Sequence, residues 1–87
     1  METRVALIGI IVENSESTAQ LNALLHDAGQ YIIGRMGLPY RARDVNIISV
    51  VLDAPQDVIS ALAGRIGRLP GVSAKAAYSK PFPPAGD

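Results

Sequence analysis

Residues 4–12 of the chain read RVALIGIIV, and residues 45–52 read VNIISVVL. Both segments are short, apolar and rich in β-branched residues, which predicts β-strands rather than buried helices. A sheet that carries helices on one face normally alternates apolar and polar residues along each strand. In these two strands both alternating sets of positions are mainly apolar. They therefore predict a sheet with two apolar faces.

The segments around these strands predict two helices and two further strands. Helical spacing of apolar residues marks the helices, and Gly or Pro marks several ends. The predicted elements are a helix over 15–29, a strand over 31–38 that ends before Pro39, a turn over 40–44, a helix capped by Asp53 and ended by Gly67, and a strand over 72–78. The order is βαββαβ, the ferredoxin-like α+β plan, with a four-stranded antiparallel sheet and two helices on one face. In this plan the first and third strands are central.

The chain has 87 residues, which predicts one domain over 1–78, followed by a flexible, proline-rich tail over 79–87. Eight basic and eight acidic residues cancel, so we expect no direct nucleic-acid or membrane partner. The absence of cysteine excludes disulfides and thiolate metal sites. The start of the chain lacks the features of a secretory signal, and we expect a cytoplasmic protein.

Two helices can cover only one face of the predicted sheet. The other apolar face would be exposed in a single chain, which predicts that copies of the chain associate. An isolated chain would expose an apolar patch larger than monomers usually tolerate. We therefore expect a homo-oligomer, either a dimer or a tetramer, although the tail folding over the sheet is an alternative. The pattern does not say which alternating set faces the helices. The interface candidates are Ile8, Gly9, Ile10, Ile48 and Val50.

No residue pattern predicts an enzyme, a cofactor or a metal site. His26 is the one histidine, with Asp27 as its close acidic neighbour, whereas zinc or nickel needs three or four ligands. No serine has a recognisable base partner, and no paired carboxylates occur outside a helix start. We expect no catalytic residues.

Three arginines surround the bend near residue 39 and are candidates for binding an anion or a partner's carboxylates. They are Arg35, Arg41 and Arg43. The alternative is three solvated side chains with Asp44 as a local counter-ion. Arginines without interleaved aromatic residues do not predict nucleic-acid binding.

Three longer segments resemble a known family. They read YIIGRMGLPYR at residues 31–41, VNIISV at 45–50 and LAGRIGRLPGV at 62–72. Together they resemble the iron-only hydrogenase system regulators, over about residues 4–80. The resemblance implies an ACT-like fold, homo-oligomers and a regulatory link to iron-only hydrogenase. The fold is similar to the C-terminal domain of the nickel-responsive regulator, but that protein's several histidines and cysteine are missing here, so nickel sensing is not implied.

The resemblance also implies a location for an effector. In ACT-like relatives the effector site lies between subunits, near the loop after the first strand, which here contains Glu13, Asn14 and Ser15. Asn14 or Ser15 is also suited to capping the first helix. We expect a regulatory module that binds a small effector or a partner protein. The alternative is a scaffold subunit of hydrogenase maturation that binds no ligand.

Overall fold

The computed structural model describes residues 2–80, which contain a four-stranded antiparallel sheet and two α-helices. The strands are β1 (Arg4–Val12), β2 (Ile32–Tyr40), β3 (Val45–Ala54) and β4 (Val72–Tyr78), and the helices are α1 (Thr18–Asp27) and α2 (Gln56–Gly67). The strand order is β2-β3-β1-β4. The ferredoxin-like α+β fold is confirmed, with β1 and β3 at the centre.

The hydrophobic core lies between the sheet and the two helices. Leu21 and Leu25 of α1 and Ile59 and Ile66 of α2 are buried against it. On β1 and β3 the even-numbered positions from Ala6 to Val12 and from Ile48 to Ala54 form the sheet side of this core. Successive side chains of a strand point to opposite faces, and directly paired residues on neighbouring strands share a face. Because the even-numbered positions of β1 pair with even-numbered positions of β3, the odd-numbered positions of both strands point away from the helices.

This placement corrects the predicted interface. Ile8, Ile10, Ile48 and Val50 are wrong as interface candidates, because all four are buried under the helices, with Ile8 and Val50 at 0% exposure. Gly9 alone among the five candidates lies on the opposite face. The error arises because both alternating sets are apolar, so residue type does not show which set the helices cover.

The end of β2 and the start of α2 differ from the predictions, and a proline lies at each of them. β2 continues through Pro39, which pairs with Asn46. β2 is an edge strand, and a missing amide is tolerated where no strand lies on that side. Asp53 belongs to β3 and does not cap α2; Pro55 is the residue before the helix, with a φ of −57°.

The predicted helix over 15–29 is divided into three parts. A 3-10 turn over Ser15–Ser17 precedes α1, and a second one over Gly29–Tyr31 follows it. Asn14 begins the first turn, since its Oδ1 accepts a hydrogen bond of 3.0 Å from the backbone N–H of Glu16. The side-chain cap therefore stabilises a 3-10 turn before the α-helix begins.

The last described residues are held against β1. Ser79 N–H donates a hydrogen bond of 2.9 Å to the carbonyl of Val5, and the Arg4 guanidinium donates to the Ser79 carbonyl. Arg4 also lies 5.0 Å from the ring centroid of Tyr78 and donates to Gln56 Oε1 at 2.9 Å. Ser79 is the first residue of the predicted tail, and from residue 81 onward that tail lies outside the described residues.

Gly71 gives the first testable prediction. Its φ is +69°, and a Cβ there would lie 2.5 Å from the Asn14 Cβ. We expect Gly71→Ala to lower the free energy of unfolding by about 1–3 kcal/mol through backbone strain and this clash. Urea denaturation at a fixed protein concentration measures the change.

Gly29→Ala is the matched control for Gly71→Ala. A Cβ added at Gly29 would meet no atom within 4 Å beyond its chain neighbours, and the φ of Gly29 is not positive. We expect an effect of less than about 1 kcal/mol, and it should be stabilising, because alanine restricts the unfolded chain. Equal stability of the two variants would contradict the structural role of Gly71.

Candidate functional site

The face of the sheet that carries no helix is apolar over three strands; we name it the open face. Seven large hydrophobic side chains are exposed among the described residues, and six of them lie on the open face. These six are Leu7, Ile11, Met36, Leu38, Tyr40 and Ile47. The seventh, Ile33, lies at the bulge in β2. Met36 at 70% and Leu38 at 62% are among the most exposed of the set. A clustered apolar surface of this kind is typical of an interaction site.

The open face is not uniform. β2 contributes large side chains, whereas β4 contributes Ser73, Lys75 and Ala77. A hollow of about 360 Å³ lies above β1 and β4, lined by Gly9, Ile11, Ile47, Ser73 and Lys75 among others. The missing side chain of Gly9 contributes to this hollow, since a Cβ there would have only the Lys75 carbonyl oxygen within 4 Å.

A second concave site lies between α1 and the part of the sheet formed by β2 and β3; we name it the α1–β2 cavity. It has a volume of about 370 Å³. Its apolar lining includes Val12, Leu21 and Ile48, and its polar lining is Thr18, Asn22, Arg35 and Asn46. Arg35 donates a hydrogen bond of 2.9 Å to Asn22 Oδ1, which joins β2 to α1 across this site. No acidic side chain among the described residues lines the cavity, so Arg35 gives it a positive charge.

The loop after β1, which the family resemblance implies as the effector site, is anchored to the turn before β4. Glu13 N–H donates a hydrogen bond of 2.7 Å to the Gly71 carbonyl, and Ser17 Oγ donates one of 2.6 Å to the Pro70 carbonyl. Asn14 uses its side chain as a cap, while Ser15 is exposed. None of Glu13, Asn14 and Ser15 lines the α1–β2 cavity, but Val12 and Thr18 on either side of the loop do.

The three candidate arginines are not brought together. Arg35 lies at the α1–β2 cavity, whereas Arg41 and Arg43 form the 3-10 turn at the tip of the β2–β3 hairpin. Arg41 comes six positions after Arg35, a distance of about 20 Å along an extended strand. Asp44 follows in the left-handed region with a φ of 54°. The arginines therefore belong to two separate surfaces.

The cavity residues Thr18, Asn22 and Asn46 were missed by sequence reasoning. They are single polar residues on three different elements, and no local spacing connects them. Within residues 2–80, no three side chains of the His, Cys, Asp or Glu types are grouped as metal ligands would be. The helices in this part of the chain are also too short or too polar to cross a membrane.

The fold and these surfaces define a small ferredoxin-like α+β protein whose sheet, within the described residues, is covered by helices on one face. Residues 4–76 match the TM1266-like family, described as "Iron-only hydrogenase system regulator, putative". The chain belongs to this family. No curated protein matches it.

Solved structures support the same assignment. The structure of TM1266 from Thermotoga maritima has a TM-score of 0.87 and 35% identity, over 91% of this chain and 100% of that chain. The C-terminal domain of the MgtC protein from Mycobacterium tuberculosis has a TM-score of 0.71 at 13% identity, covering 90% of this chain and 89% of that one. A formyltetrahydrofolate deformylase from Pseudomonas putida KT2440 has a TM-score of 0.60 at 15% identity, covering 84% of this chain and 28% of that one. The last two show the fold alone.

The anchoring of the loop after β1 gives a second prediction. Ser17 is buried, and Ser17→Ala would leave the Pro70 carbonyl without this partner. We expect a loss of about 1–3 kcal/mol in the free energy of unfolding, measured by urea denaturation. Ser60→Ala is the control, because its bond to the Tyr78 hydroxyl is exposed and should be worth less than about 0.5 kcal/mol. A loss for Ser17→Ala no larger than the control's would contradict the anchoring role.

Proposed function

We propose that this member of the hydrogenase-regulator family acts without catalysis, as a homo-oligomer that binds a small effector. The open face supports association of copies, and the α1–β2 cavity supports effector binding. The proposal rests on one observation: most of the exposed large hydrophobic side chains of the described residues are clustered on the open face.

The energetics of the open face favour burial. Complete removal of a large apolar side chain from water is worth about 1.5–3 kcal/mol, and the six side chains here are already partly covered. Their gross contribution from one copy is then on the order of 5 kcal/mol, and a symmetric dimer buries the face twice. This is comparable with the cost of association, which is about 4–15 kcal/mol. The surplus from these side chains is then at most about 6 kcal/mol, which corresponds to a dissociation constant of roughly tens of micromolar or weaker.

The chemistry of the α1–β2 cavity selects a class of effector. Arg35 offers a charged donor, and Asn22, Asn46 and Thr18 offer neutral donors and acceptors around an apolar floor. A small organic acid with an apolar part, such as an amino acid, fits this combination. The volume lies at the lower end of the range for small-molecule sites.

The association prediction uses Ile47, near the centre of the open face. Ile47→Lys places a charge where two apolar faces meet, and burying it costs at least about 3 kcal/mol, roughly a hundredfold in dissociation constant. We expect sedimentation equilibrium to give oligomers of the 9.2 kDa wild-type chain and monomers of the variant. Circular dichroism checks that the variant remains folded.

Ala61→Lys is the matched control for Ile47→Lys. Ala61 is exposed on α2, away from the open face, so the same charge should leave the mass of the wild-type oligomer unchanged. A wild-type chain that sediments as a monomer at roughly 500 μM, about tenfold above that dissociation constant, would overturn the association part of the proposal.

The effector prediction uses Arg35. A thermal-shift screen with the twenty amino acids and common nucleotides should give at least one compound that stabilises the wild-type protein. At a hundred times the dissociation constant, the rise in Tm is on the order of 10 °C for a domain of this size. We expect Arg35→Met to weaken binding of the same compound about tenfold to a hundredfold, because a charge-assisted hydrogen bond is lost.

Arg68→Met is the control for the effector experiment. Arg68 follows α2 and is exposed outside the cavity, so its removal should preserve the response. The absence of any shift in the wild-type protein would contradict effector binding and favour a partner protein as the regulatory input. A response lost equally in both variants would contradict the cavity as the site.

A further inference from the structure

A ridge of large side chains lies on one side of the open face and a hollow of about 360 Å³ on the other, and a smaller hollow of about 180 Å³ lies beside Met36, Leu38 and Ile47. The ridge is formed by Met36, Leu38 and Tyr40 of the edge strand β2. The hollow lies above β1 and β4, with Gly9 and Lys75 in its lining. The strand register places Met36, Ser49, Gly9 and Lys75 in one row across the sheet. This row runs from the ridge to the hollow.

From this shape we infer that two copies pack face to face about a two-fold axis parallel to their strands. The inference deepens the proposed function, because it rests on association through the open face. Such an axis exchanges left and right across the sheet, so β2 of each copy lies over β4 of the other. The ridge of each copy then enters the hollow of the other. Met36 packs on the aliphatic stem of Lys75 of the second copy, whose ammonium reaches water past the edge strand β4.

The alternative symmetric packing has its two-fold axis across the strands. That axis lays β2 over β2 and β4 over β4. The ridges then meet each other, while the two hollows face one another and remain unfilled. The two copies of Lys75 also approach within an apolar layer, where like charges are costly. Packed interfaces need the density of a protein interior, so the parallel axis is favoured.

Charge at the end of the sheet agrees with the parallel axis. The hairpin tip carries Arg41 and Arg43, and the loop after β1 carries Glu13 and Glu16 at the same end, because Val12 pairs with Asn46. An axis parallel to the strands keeps the same end of the two sheets together. It therefore brings the β2–β3 hairpin tip of each copy toward the loop after β1 of the other copy. The acidic loops of the second copy are then the carboxylates that Arg41 and Arg43 bind.

Cross-linking between differently tagged copies tests the axis. The chain has no cysteine, so only engineered thiols react. Packed sheets lie about 10 Å apart, which suits a bismaleimide of similar reach better than a disulfide. We mix Met36→Cys protein with Lys75→Cys protein and expect mixed cross-linked dimers at least tenfold more abundant than Met36→Cys homodimers. Ala61→Cys on α2 measures background linking.

The outcomes of this experiment separate the inference from the proposed function. Predominant Met36→Cys homodimers, in a protein that sediments as a dimer, would overturn the parallel axis and leave association intact. Background linking in every mixture, with a monomeric mass for the wild-type chain, would overturn both. Background linking in a protein that still sediments as a dimer would overturn the face-to-face packing.

Charge exchange at the sheet end is an independent test. At low salt, Arg41→Glu/Arg43→Glu and Glu13→Arg/Glu16→Arg should each weaken self-association about tenfold, because like charges then face each other. Mixing the two variants should restore association to the wild-type level, since every tip then meets an opposite loop. An axis across the strands predicts no restoration, and that result would overturn the inference.

Discussion

The structure depends on one imbalance: within residues 2–80, a four-stranded sheet with two apolar faces has helices on only one of them. Both β1 and β3 carry apolar side chains at nearly every position, and α1 and α2 cover the even-numbered half. Burial of residues such as Ile8, Val50 and Leu21 supplies the main stabilisation of the fold. The same central strands also keep Leu7, Ile11 and Ile47 at the surface. The open face therefore follows from the strands that build the core.

Long-range hydrogen bonds position the functional surfaces around this core. At one end of the sheet, the loop after β1 is joined to the turn at Gly71, which keeps Val12 and Thr18 at the rim of the α1–β2 cavity. At the other end, Arg4 joins β1, the start of α2 and the residues after β4. The cavity and the open face lie on opposite sides of the sheet. The proposed effector site and the proposed interface share strand β2, which carries Arg35 on one side and Met36 and Leu38 on the other.

The family assignment and the site geometry answer different questions. Membership in the hydrogenase-regulator family follows from the match over residues 4–76 and from the likeness to TM1266. Fold likeness at 13–15% identity carries no activity to this chain. The proposed effector class rests on Arg35 and its neutral polar neighbours, and the proposed association rests on the open face.

The amino-acid sequence by itself determined the order of the elements, the central position of β1 and β3 and the presence of a second apolar face. These follow from local periodicity, from proline and glycine positions and from the one handedness that short crossovers allow. Tertiary structure alone decided which alternating set is covered, so Ile8 and Val50 lie under the helices while Gly9 lies on the open face. It also decided that Arg35 meets Asn22 and Asn46 in a cavity while Arg41 lies elsewhere. The physical reason is that register and helix docking are pairings between distant segments, and when both faces of a strand are apolar the residues themselves carry no mark of which pairing is made.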